Sequence, residues 1–167
     1  MLAAQSARSS LHRGGNPVKW ITRERPKIDR IACPWLISRF IDEAPEFLFV
    51  PAAEVIKIAA STGAIPYDVP GIELSHVGKL CSFDAFLKKY ALNDPALQRL
   101  AIIIRGADTG RLDLAPQAPG LLAISLGLSR NFSDDHEMLE YGRVIYDALY
   151  AWCRDLQQET HGWLPSA

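Results

Sequence analysis

The sequence predicts an α+β fold: a small N-terminal β-α-β sheet followed by a mostly helical second half. Three features point there. Short β-branched and aromatic runs, "VKWITR" and "EFLFVP", occur only in the first third. From Ser82 onward, apolar residues recur at helical spacing. Capping signals such as Asp94-Pro95 punctuate that second part.

Taken in order, Val18–Arg23 reads as a strand. Pro34 suits a first helical position, so "PWLISRFIDEA" is predicted to start there, with Trp35, Leu36, Phe40 and Ile41 inward. Glu46–Pro51 is a second strand, and "AAEVIKIAAST" a helix stopped by Gly63. "AIPYDV" and "GIELSHV" read as extended pieces around a Pro70-Gly71 turn. Ser82 is placed to cap "FDAFLKKYAL", and Asp94-Pro95 opens "PALQRLAIIIRGA". "APGLLAISLGLS" reads as a further helix despite its glycines. Ser133 is placed to cap the last helix, with Met138, Tyr141, Ile145, Leu149, Trp152 and Leu156 as its buried stripe.

The chain has 167 residues, 49% of them apolar, enough for one domain with a real core. Residues 1–17 read as a disordered lead, 18–160 as the domain and 161–167 as a tail. No apolar run reaches membrane-spanning length. Between Arg8 and Arg30, seven Lys/Arg face only Glu24 and Asp29, although the whole chain carries −1. Such a segment reads first as a solvated arm, and nucleic-acid binding through it has the weakest support. Cys33, Cys81 and Cys153 stand far apart and are odd in number, which fits reduced thiols in a cytoplasm. No P-loop, GxGxxG, GxSxG or HExxH is present.

Four groups of residues carry possible chemistry. In "ELSHVGKLCSFDAF", His76 at a strand end and Asp84 in a first helical turn suit Zn, Fe or Mn, and Cys81 would add a softer ligand. The same residues also make an ordinary strand end and helix start. In "RGADTGRLD", Asp108 at a helix C-terminus opposes the macrodipole, so it needs a cation or the flanking Arg105 and Arg111. His136 and Glu140 share a helix face that reads as solvent-exposed. In "IDRIACPWLISR", a helix start with Arg30 and Arg39 nearby suits an oxyanion, and Cys33 there is a candidate low-pKa thiolate. The plainer alternative pairs Asp29 with Arg30 at a helix cap.

Five segments together, "WITRERPKIDRIACPWLISRFID", "FLFVPAAEV", "PYDVPGIELSHVGKLCSFDAFL", "IIIRGADTGRLDLAPQAPGLLAISLGL" and "YDALYAWCRD", resemble the C-terminal domain of the ChrB-type chromate-resistance proteins. The resemblance covers about Lys19 to Asp155. It implies a role in chromate or metal stress, with an inorganic oxyanion such as chromate as ligand and a regulatory or sulfurtransferase-like domain as partner. It also implies a site at His76, Asp84 and Asp108, joined by Asp29, that would hold divalent Fe, Mn or Zn. Arg30 and Arg39 would draw the oxyanion, and Cys33 or Cys81 would supply a thiol. Some relatives carry a histidine where this chain has Arg105, so that position is not carried over as a ligand. The alternative is a non-catalytic chromate-responsive module.

Overall fold

The computed structural model describes residues 17–160 and 162. The expected disordered lead therefore lies outside the described residues apart from Pro17, as does the tail apart from Gly162. Three parallel strands form one sheet in the order β2-β1-β3: β1 is Lys19–Arg23, β2 Glu46–Val50 and β3 Ile65–Pro66. Among the described residues, six α-helices accompany it: α1 Asp29–Leu36, α2 Val55–Thr62, α3 Ser82–Lys89, α4 Pro95–Asp108, α5 Ala118–Asn131 and α6 Asp135–Ala151. The α+β class with its early β-α-β unit is as the sequence predicts.

Alternation along β1 sends its side chains to two faces. Trp20 enters the main core with Trp35, Phe83, Phe86 and Leu97, whereas Ile21 packs under α2 with Val55 and Ala59. The central strand is thus covered on both sides, and its C-terminal end delivers Arg23 to the loop region where the acids described below converge.

Three local predictions are corrected. The first helix starts at Asp29, not Pro34, and Pro34 lies inside it. Pro34 can donate no bond to the Arg30 carbonyl, and the helix runs on into a π-turn over Ile37–Ile41. The segment after β3 is a chain of bends rather than a second extended piece, so His76 sits in a loop and not at a strand end. The caps of α3 and α6 are Cys81 and Asp134, each one residue from the serine expected. Asp134 has the longer reach, accepting from the N–H groups of His136 and Glu137 at 2.8 and 2.9 Å.

The buried stripe of α6 is Met138, Leu139, Gly142 and Tyr146, while Tyr141 is 52% exposed and stacks on Phe132. Gly142 explains the offset. A Cβ there would lie 2.4 Å from Ile31 Cγ2, so α1 and α6 approach as only glycine allows. Hydropathy does not register glycine as a core residue.

Candidate metal centre

The first turn of α1 is set by an unusual residue. Ile28 has φ 46° and ψ −103°, a conformation costly for a β-branched side chain. Two buried side chains hold it: Ser125 Oγ accepts its N–H at 3.1 Å, and Tyr146 Oη donates to its carbonyl at 2.8 Å. α5 and α6 therefore fix where α1 begins, and with it Asp29.

Asp29 is buried, and its Oδ2 accepts the Ser82 N–H at 3.1 Å. Asp68, also buried, has φ 52°, a left-handed conformation that aspartate tolerates better than most residues. Its Oδ2 receives Arg23 Nη2 at 2.6 Å and faces Arg30 Nε at 3.2 Å, while Oδ1 accepts from Ser82 Oγ at 2.9 Å. Ser82 thus tethers two acids at once. Asp108 closes α4 and contributes a third.

His76 lies over them. Its Nε2 is 3.4 Å from Asp29 Oδ2, 3.4 Å from Asp68 Oδ1 and 3.1 Å from Asp108 Oδ2. The side chain is 41% exposed, so the imidazole forms the solvent side of an otherwise buried acidic cluster. The charge is unbalanced. Burial, with the Asp29 carboxylate next, pushes Asp108 up to about 7. Asp68 is raised for the same reasons despite Arg23. The hydrogen bond to Asp29 raises His76 to about 9, so at neutral pH the imidazolium supplies the missing positive charge.

A divalent ion fits this donor set. Ligating atoms of Asp29, Asp68 and His76 lie within 4.8 Å of one another. Metal–ligand bonds of about 2.1 Å place neighbouring ligands roughly 3.0–3.4 Å apart, the range His76 keeps from the acids. One imidazole with carboxylates suits Mn, Fe or Zn.

The sequence-predicted residues divide. His76, Asp29 and Asp108 come together, joined by Asp68. Asp84 is engaged elsewhere: it takes Arg105 Nε at 2.9 Å and Nη2 at 2.6 Å, and closes a capping box on the Cys81 N–H at 3.0 Å. Arg30 braces Asp68 and the carbonyls of Arg23 and Glu24. Arg39 instead pairs with Asp147 on α6. Cys33 lies in the second turn of α1, fully buried, and burial raises its thiol well above the usual range. The low-pKa thiolate expected there is thereby corrected. Cys81 is likewise raised by burial and by Asp29. His136 and Glu140 are exposed, as predicted.

Asp68, Arg23 and Ser82 escaped the sequence reading as site residues. The only signal was an acid just before Pro70-Gly71, in a stretch read as extended.

The profile described as "ChrB, C-terminal domain" matches residues 20–153. The chain belongs to the ChrB C-terminal domain family. It is 32% identical over 133 residues to "Protein ChrB" of Cupriavidus metallidurans, which covers 79% of this chain and 40% of that protein. The chain therefore spans less than half the length of this ChrB relative. No solved structure matches. All four residues of the cluster fall inside the ChrB-matched span. Among the described residues of this ChrB-family domain, no helix is long and apolar enough to cross a membrane.

Proposed function

We propose that this ChrB-family domain binds one divalent first-row metal ion, Mn, Fe or Zn, through Asp29, Asp68 and His76 with Asp108 beside them, and that it serves chromate resistance. The observation that carries the reading is His76 Nε2, within 3.4 Å of oxygens from three acids gathered at one point, of which only Asp68 has arginine partners among the described residues. A bound ion supplies Lewis acidity and a docking point for an oxyanion. The protein's own residues do the positioning. Ser82 spaces Asp29 from Asp68, Arg23 and Arg30 fix the Asp68 carboxylate, and His76 borders solvent, where a ligand would arrive.

The role in chromate resistance is sensing, or a metal-assisted step, rather than reduction by a thiol. Cys33, Cys81 and Cys153 are all buried, and each thiol is raised by burial. A chromate-responsive module without turnover is the second reading, favoured by the same burial. Calorimetric titration of the chelator-treated protein with Mn²⁺, Fe²⁺ and Zn²⁺ tests the metal. One ion should bind at a single site and fail to bind His76→Ala. Following chromate absorbance with the loaded protein then separates the readings, since steady multiple-turnover loss excludes the module without turnover.

A further inference from the structure

Next to the metal centre in sequence, but separate from it in lining, the loop before α3 and the outer face of α3 enclose a cleft of about 430 Å³. Its walls are mainly apolar: Ile72, Val77, Leu80 and Ala85. Val77 and Leu80 are 63% and 42% exposed. They are held in that posture by a two-residue turn, in which Val77 and Leu80 exchange backbone hydrogen bonds at 3.1 Å and Gly78 takes φ 61°. The turn thus presents two large apolar side chains to solvent at the edge of the cleft. Exposed apolar surface beside a concavity of this size marks a ligand site.

The charges in the lining choose the ligand. Glu73 is paired with Lys89, and Asp84 with Arg105. Lys88 also lines the cleft, and none of the described acids pairs with it. The lining therefore offers one uncompensated ammonium beside an apolar wall, with the exposed Lys79 at the tip of the turn. We infer that this cleft binds a small organic monoanion with an apolar body, its carboxylate on Lys88 and its hydrocarbon against Val77 and Leu80.

Octanoate is the probe, with 1-octanol as its uncharged counterpart. Amide shifts on titration into the full chain should concentrate in residues 72–89, and octanoate should bind about threefold more tightly than 1-octanol. Lys88→Met should lose that preference and Lys88→Arg should keep it; both changes are at an exposed helical position and leave the fold intact. Equal affinity for the two probes, or shifts centred away from the cleft, overturns the inference. Each titration is repeated with EDTA. Binding that survives the chelator belongs to the cleft, whereas binding abolished by it is coordination to the metal and overturns the cleft without touching the metal reading.

Discussion

Asp108 Oδ2 lies 3.1 Å from His76 Nε2, joining the last residue of α4 to the loop before α3. An acid at a helix C-terminus opposes the macrodipole, and here it also sits among other acids. This contact brings Asp108 to the group that the proposed metal site uses.

Metal affinity should therefore rise with pH. His76, raised to about 9, and Asp108, raised to about 7, both hold protons that a metal must displace. Titrations at pH 6, 7.5 and 9 should show progressively tighter binding. The metal-free protein should respond in the opposite sense. Both groups have folded pKa values above their unfolded ones, so their contribution to stability is full at low pH. It is lost as pH rises through about 7 for Asp108 and about 9 for His76. Thermal melts with EDTA should show Tm falling across that window, and bound metal should remove the fall. A metal-free Tm that rises from pH 6 to 9 would contradict this assignment.

Asp84→Ala should destabilise the fold without removing metal. The change deletes the bidentate partner of Arg105 and the acceptor for the Cys81 N–H. Loss of a partly buried charge pair and a cap costs about 2–3 kcal/mol. Chemical denaturation reads the cost, and metal analysis of the same sample should match wild type.

Tyr146→Phe tests how the strained turn positions Asp29. Removing the hydroxyl leaves the Ile28 carbonyl with one hydrogen bond fewer, a cost of about 1 kcal/mol. Metal affinity should weaken as well, since Ile28 directly precedes Asp29. A stability loss with unchanged affinity would mean that Asp29 is positioned by Ser82 alone.

The cysteines should be inert in the folded protein. Cys33, Cys81 and Cys153 are free and buried, so iodoacetamide should label none until denaturant is added. Mass spectrometry counts the adducts, and rapid native labelling of Cys33 would restore a thiol role.

Much of this architecture was legible in the sequence. The β-branched runs gave β1 and β2, and the Asp94-Pro95 signal gave the start of α4, where Asp94 accepts the Ala96 N–H at 2.7 Å. The family resemblance groups His76, Asp84 and Asp108 with Asp29, and of these four His76, Asp29 and Asp108 meet in the structure. What escaped depends on tertiary contacts. Asp68 joins the site through a left-handed turn pinned by Arg23 and Ser82, which no periodicity encodes. The start of α1 was misplaced because Pro34 is a local signal, whereas Ile28 is held by Ser125 and Tyr146 from distant helices. Asp84 looked like a ligand in sequence because nothing there tells a capping acid paired to Arg105 from a free one.

The central claim is that the acids around His76 hold a metal ion. Elemental mass spectrometry on untagged protein purified without added metal, beside Asp68→Asn and His76→Ala, tests it most directly. The account predicts near one equivalent of Mn, Fe or Zn in wild type and little in either variant that still folds. Wild-type protein without metal that also fails to take up any of the three ions, or full metal retention in both variants, would contradict it.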